Sequence, residues 1–168
     1  IKGGGRGGGQ MAVVSHVPTV GKVTAVHTGA EFTKNYRVFF ERDGKRISPW
    51  HSLPAFVDNG TVNMVLEIPR GTNAKMEICT TERGNPIKQD LNKDKTLRYL
   101  KHGNVLKNYG AIPQTWEDIF ERDFMVGIEG DNDPVDIIDI STIKHERGAV
   151  IQVKPICALA LLDGGETD

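Results

Sequence analysis

Cysteine is scarce: Cys79 and Cys157 are the two in 168 residues. That is too few for a disulfide framework or a Cys-rich zinc site. Both lie in apolar, strand-like contexts, which predicts buried free thiols in a reducing compartment. Aromatic residues make up 7% of the chain, and neither sign of charge dominates: 21 Lys plus Arg against 22 Asp plus Glu leave a formal net charge of -1. Dedicated nucleic-acid binders usually show a clear basic excess, so no nucleic-acid partner is expected. No apolar run approaches the roughly 20 residues of a membrane span, so no membrane is expected either. The five histidines, His16, His27, His51, His102 and His145, show no metal-ligand spacing. There is no HExxH, no serine or cysteine in a nucleophile motif and no GxxxxGK[ST], which removes those metalloproteases, the serine and cysteine hydrolases with such motifs and the P-loop NTPases. Long amphipathic helical periodicity is also missing.

What is present suits one soluble domain. A chain of 18.5 kDa can bury about two thirds of its unfolded surface and needs no covalent staple. Residues 1–19 open with Ile1-Lys2-Gly3-Gly4-Gly5-Arg6-Gly7-Gly8-Gly9, where glycine entropy is high and nothing can be buried. The expected division is a flexible Gly-rich tail at 1–19 and one domain over 20–168. The start has no apolar stretch of the secretory kind. A cytoplasmic location is expected, with an organellar form left open.

From residue 20 onward short strands alternate with turn signals. Tyr36-Arg37-Val38-Phe39-Phe40 is β-rich and precedes Asp43-Gly44, a hairpin pair. Asn59-Gly60 leads into Val62-Asn63-Met64-Val65-Leu66-Glu67-Ile68, where Met64, Leu66 and Ile68 share a face. Lys75-Met76-Glu77-Ile78-Cys79 alternates cleanly, with Met76 and Ile78 on one side and Lys75 and Glu77 on the other. Leu97-Arg98-Tyr99-Leu100 reads as a third short strand. Residues 150–162 read as a buried strand pair or bent strand, broken at Lys154-Pro155. One or two helical turns are expected near 113–120. Short, regularly spaced strands favour a closed or partly closed barrel over a parallel α/β sheet.

Acidic residues cluster. Residues 117–139 hold nine acids and one base, Arg122, whereas 61–114 is rich in Arg and Lys. Glu129-Gly130-Asp131-Asn132-Asp133-Pro134-Val135-Asp136 places three aspartates within six residues, which repel one another unless something positive sits between them. Hard cations such as Mg²⁺ take oxygen ligands, and Pro134 can bend Asp136 toward Asp131 and Asp133. An EF-hand fails, because the sixth loop position is Asp136 rather than Gly and the twelfth is Thr142 rather than Glu. A surface turn is the competing reading. A second acidic group is Asp163-Gly164-Gly165-Glu166-Thr167-Asp168, at the end of an apolar run. A third group joins Glu67, Arg70, Lys75 and Glu77, with Arg98 and Tyr109 downstream. Arg and Tyr near carboxylates can bind phosphate oxygens, although a salt-bridged surface strand would look the same.

These stretches resemble the soluble family I inorganic pyrophosphatases, in their eukaryotic form. Four blocks carry the resemblance, in order: Glu67-Ile68-Pro69-Arg70-Gly71-Thr72-Asn73-Ala74-Lys75-Met76-Glu77-Ile78, Asn108-Tyr109-Gly110-Ala111-Ile112-Pro113-Gln114-Thr115-Trp116-Glu117-Asp118, Asp131-Asn132-Asp133-Pro134-Val135-Asp136, and Leu161-Leu162-Asp163-Gly164-Gly165-Glu166-Thr167-Asp168. The resemblance implies a mainly β (α+β) fold, a distorted five-stranded OB-like barrel with few short helices and the site at its mouth. It implies hydrolysis of pyrophosphate to two phosphates, with several Mg²⁺ ions per site. Asp131, Asp136 and Asp168 would hold the tightest metal, Asp163 and Glu67 would serve metals that arrive with substrate, and Glu77 would join the same acidic shell. Asp133 would accept the proton of the attacking water. Lys75, Arg98 and Tyr109 would bind phosphate oxygens.

The family continues past the position of Asp168 with a lysine, a further strand, a Tyr-Lys pair and a helix, so the resemblance implies that the C-terminal part of the fold is missing here. Gly71 stands where the family usually has a tryptophan at its dimer contact, which weakens the implied homodimer. Two other readings compete with the enzyme: a catalytically inactive OB-like binding module, and an incomplete pyrophosphatase fragment.

Overall fold

A computed structural model describes residues 22–57, 60–122, 126–163 and 166–167, without the side chains of Asp163 and Thr167. The expected tail at 1–19 and its boundary at residue 20 lie outside the described residues, as does Asp168.

Eleven short strands are described. β1 (Val23–Thr28), β2 (Arg37–Arg42) and β3 (Lys45–Ile47) come first, then β4 (Val62–Ile68), β5 (Met76–Ile78) and β6 (Ile87–Gln89). β7 (Asn108–Ala111), β8 (Asp136–Asp139), β9 (Val150–Val153), β10 (Leu162–Asp163) and β11 (Glu166–Thr167) follow. Asp43-Gly44 joins β2 to β3 with φ of 51° and 70°, and Arg42 pairs with Lys45. Positive φ at both central residues matches the right-handed twist of a two-residue hairpin.

The strands form three sheets and not a closed barrel. One runs β1-β2-β6-β5 with β3 on β2, the second runs β8-β7-β4-β9, and β10 pairs with β11. The expected five-stranded OB-like barrel is therefore wrong. Closure needs a hydrogen-bonded ladder from one sheet to the other, and here β4 and β5 pack together without one. The expected short α-helices are absent too: no described residue is α-helical. At 113–120, Pro113 lacks a donor and Gln114 takes φ 55°. That segment bonds across to the acidic loop instead, through Ile112 N–H to the Val135 carbonyl and Glu117 N–H to the Asp133 carbonyl.

The core lies between the two larger sheets. Val38, Phe40, Met76, Ile78 and Ile87 come from one, and Val65, Ile68 and Ala111 from the other. β4 is buried along its whole length, on both faces rather than the one that alternation suggested. β5 follows its expected pattern, with Met76 and Ile78 buried and Glu77 between them half-buried. Residues 97–100 form isolated bridges at Leu97 and Tyr99 rather than a strand. The apolar run 150–162 is not the buried pair expected. β9 pairs with β4, but Ile156, Leu159 and Leu162 are exposed. Cys79 is buried and free, as expected, whereas Cys157 is exposed.

Candidate active site

An open cavity of about 170 Å³ lies where β4, β5, β7 and the start of β8 meet. Glu67, Lys75, Glu77, Arg98, Tyr109, Asp131, Asp133 and Asp136 all line it, with Ile78, Ala111 and Pro134. Eight of the ten residues singled out in the sequence are thus brought to one place. For the other two, the side chain of Asp163 and the whole of Asp168 lie outside the described residues.

Each side chain has a local reason for its place. Glu67 is the next-to-last residue of β4, where the register against β7 shifts between Leu66 and Ile68. Such an irregularity re-aims a side chain. Its carboxylate is buried and its Oε1 accepts the Ile78 N–H at 2.7 Å. Lys75 just precedes β5 and Glu77 lies within it, with Lys75 Nζ 3.9 Å from Glu77 Oε2 and 5.3 Å from the centre of the Tyr109 ring. Tyr109 lies in β7, and its hydroxyl donates to Asp136 Oδ2. β7 approaches β4 so closely that a Cβ on Gly110 would lie 2.0 Å from the Val65 carbonyl oxygen, so only glycine fits.

The acidic loop is fixed by its own backbone. Asp133 N–H donates to Asp131 Oδ1 at 3.1 Å, and Asn132 takes φ 70°. Asparagine tolerates this left-handed turn better than most residues. Val135 N–H donates to Thr115 Oγ1 at 3.0 Å, and Asn132 N–H to the Glu117 carbonyl at 2.9 Å. A Cβ on Gly130 would meet the Glu117 carbonyl carbon at 2.4 Å. The loop therefore packs against the 113–118 block with no room for a side chain at that point.

Arg98 reaches the cavity from a loop and also binds Asp90 Oδ2 at 2.7 Å. Asp90 is a residue the sequence reading missed. A single aspartate in a polar loop carries no pattern that would single it out.

The electrostatics are those of crowded carboxylates. Burial pushes the Glu67 carboxyl well above its ordinary range; the Ile78 N–H and Lys75 oppose this, and Asp136 and Glu77 add to it. Burial also raises Glu77, to about 7, helped by Asp90 and Asp133 and opposed by Lys75 and Arg98. Like charges and desolvation both disfavour the ionised form. Among the described residues, no three His, Cys, Asp or Glu side chains converge closely enough to hold a metal ion. The donor set nevertheless fits a hard divalent cation. It is made of carboxyl oxygens, no His or Cys among the described residues lines the cavity, and ionising the two buried, raised carboxyls would be favoured by a bound cation.

The sequence profile described as inorganic pyrophosphatase matches residues 64–168, which contain all the cavity-lining residues. The inorganic pyrophosphatase of Bos taurus is 48% identical over 144 residues, 83% of this chain and 50% of the bovine one. The soluble inorganic pyrophosphatase 1, chloroplastic, of Chlamydomonas reinhardtii is 44% identical over 140 residues, covering 83% and 49%. The N-terminally truncated vacuolar soluble pyrophosphatase of Trypanosoma cruzi, solved in complex with PPi, is 36% identical with a TM-score of 0.81, covering 98% of this chain and 69% of that one. The matched profile and relatives all carry the name inorganic pyrophosphatase or soluble pyrophosphatase, and the fold is shared with a solved member. The chain belongs to the soluble family I inorganic pyrophosphatases. It spans about half the length of the curated relatives it matches.

Proposed function

We propose that the protein hydrolyses inorganic pyrophosphate to two phosphates and requires several Mg²⁺ ions. The observation that carries this reading is the convergence of Glu67, Lys75, Glu77, Arg98, Tyr109, Asp131, Asp133 and Asp136 on one cavity. Family membership supports it, and so does the PPi named for the Trypanosoma cruzi structure.

Mg²⁺, when bound, offsets the negative charge of pyrophosphate and makes a water acidic enough to attack. Asp131 and Asp136, with Asp168 by family resemblance, hold the tightest ion. Glu67 and Asp163 serve ions that arrive with substrate, and Glu77 completes the acidic wall. Asp133 takes the proton of the attacking water at a carboxylate oxygen. Lys75 Nζ, the Arg98 guanidinium and the Tyr109 hydroxyl donate to phosphate oxygens, orienting the substrate and spreading its charge. The Tyr109 hydroxyl, which donates to Asp136 Oδ2 here, would be available to a phosphate oxygen if Asp136 held a cation. No nucleic-acid partner is proposed, because Lys plus Arg, 21, do not exceed Asp plus Glu, 22. No helix of the described residues is long and apolar enough to cross a membrane. The location we propose is cytoplasmic, with an organellar one equally compatible with the chloroplastic relative. Homodimer formation belongs to the same proposal, weakened by glycine at position 71.

Phosphate release from pyrophosphate, with and without Mg²⁺, tests the reading on this chain beside one extended to the length of its relatives. Release that depends on Mg²⁺ is expected. A folded protein of either length that releases none contradicts it.

A further inference from the structure

Glu67 stands between two cavities. Its carboxylate lines the acidic one. Its backbone carbonyl accepts the Arg147 Nε–H at 3.1 Å. Arg147 lines a second cavity of about 350 Å³, with His27, Glu31, Gly71 and Lys144 among its neighbours. Arg147 is 8% exposed, an unusual depth for a guanidinium, which is retained only where it is paired and hydrogen-bonded.

The pairing crosses the fold. Arg147 Nη1 donates to Glu31 Oε1 at 3.2 Å. The Tyr36 hydroxyl donates to the same oxygen at 3.1 Å and lies 2.7 Å from His27 Nδ1. The guanidinium carbon is 5.9 Å from the centre of the Tyr36 ring. One end of Arg147 is therefore anchored beside β1 and β2, and the other on the β4 peptide. That peptide is where register is lost: Leu66 pairs with Gly110 and Ile68 with Tyr109, with Glu67 between them. Leu66 itself is fixed by the Ala149 carbonyl and the Gly148 N–H, at 2.9 and 2.8 Å. The bond to the Glu67 carbonyl comes from a side chain outside both ladders. A bulged residue held less firmly by its ladder gains most from such a bond.

We propose that Arg147 is a positioning residue for Glu67: it fixes the peptide at the bulge, keeps the buried carboxylate aimed into the acidic cavity, and thereby sets the cation affinity of that carboxylate. The proposal rests on the function given above. Arg147 does not line the acidic cavity and touches no reacting group.

Mn²⁺ binding to the metal-depleted full chain in the presence of methylenediphosphonate, a non-hydrolysed pyrophosphate analogue that supplies the substrate oxygens, followed by electron paramagnetic resonance, tests it. Arg147→Met keeps the apolar stem and removes every donor. It should weaken Mn²⁺ binding about tenfold at temperatures where circular dichroism shows the variant folded. Arg147→Lys, which keeps a cation, should recover part of the loss. In a Glu67→Gln background, Arg147→Met should change Mn²⁺ affinity by less than twofold, because the two act through one carboxylate. A folded Arg147→Met chain with Mn²⁺ affinity within twofold of the native one overturns the proposal. So does an undiminished effect in the Glu67→Gln background, which would mean a general loosening of the fold. If Arg147→Met does not fold, Arg147→Lys is read alone: about threefold weaker binding is expected, and native affinity overturns the assignment. A native chain that binds no Mn²⁺ contradicts the function itself and this role with it. Native binding with unaltered variants overturns the Arg147 role only.

Discussion

Glu77 and Glu82 lie five residues apart, yet their surroundings push them in opposite directions. Glu82 accepts two hydrogen bonds from the Arg37 guanidinium, at 2.7 and 2.8 Å, and one from Lys88 at 3.1 Å. Two cations serve one carboxylate, and its pKa falls to about 2. Glu77 is raised to about 7 chiefly by burial, with Asp90 and Asp133 adding to it and Lys75, at 3.9 Å, and Arg98 opposing it. The Glu82 cluster is complete in itself and contributes to stability. The cavity around Glu77 gathers Glu67, Asp131, Asp133 and Asp136, with Lys75 and Arg98 as the cations among its described lining residues, and Arg98 is shared with Asp90. A fold that concentrates partly buried acids in an open cavity gives up stability there, which fits the cation site proposed above.

The sharpest way to break this contrast is Asp136→Ala. Metal-held charge is worth several kcal/mol in such reactions, and each 1.4 kcal/mol is a factor of ten, so phosphate release should fall about a thousandfold or more. Mg²⁺ dependence should disappear with it, and retained activity would remove Asp136 from the site. Asp133→Asn should be milder in a specific way. Turnover should drop roughly a hundredfold, as for loss of a general base, with Mg²⁺ affinity within about threefold of native. Equal losses of affinity and turnover, measured by calorimetry and steady-state kinetics, would contradict the base role.

Thermal unfolding against pH sharpens the comparison further. Glu77 is raised in the fold, so its contribution to the metal-free protein is intact below about 4.5 and is lost as pH rises through about 7. Glu67 shifts in the same direction. Metal-free stability should therefore fall by roughly 2–3 kcal/mol across that window, and Mg²⁺ should flatten the slope. A metal-free curve that is flat from pH 4.5 to 7 would contradict the assigned shift. The smallest effect belongs to Glu82→Gln. Glu82 is depressed in the fold, so its stabilisation is present above about 4.5 and is lost as pH falls through about 2. Because the group is about a third exposed, solvent screening limits the loss at pH 7 to about 1 kcal/mol. Native and variant curves should converge near pH 2; a gap that persists there would mean the effect is not electrostatic.

The site was more legible in the sequence than the fold. Asp131, Asp133 and Asp136 stood out because like charges that dense are costly without a partner. Glu67, Lys75 and Glu77 stood out because polar residues interrupt apolar alternation at fixed positions. Both are local signals. Barrel closure is not local: it depends on whether the edges of two sheets pair, and nothing in β4 or β5 encodes that. The helix expected at 113–120 failed because a proline, a left-handed Gln114 and the hydrogen bonds of a distant loop decide that segment. The run 150–162 read as buried because it is apolar, yet hydrophobicity states a preference and not what covers it. Arg147 gave no signal, since a lone arginine before a glycine looks like any surface turn, and only the fold brings it to Glu31 and Glu67.

The most direct test of the central claim is calorimetric titration of Mg²⁺ into the metal-free protein near pH 6.5, in two buffers of different ionisation enthalpy. If the cavity acids are held partly protonated until a cation arrives, binding must displace protons, and the apparent enthalpy should differ between buffers by an amount equivalent to about one proton per chain. Mg²⁺ binding with no buffer dependence, or no Mg²⁺ binding by the folded chain, would contradict the claim that these carboxylates, raised by burial, form a cation site.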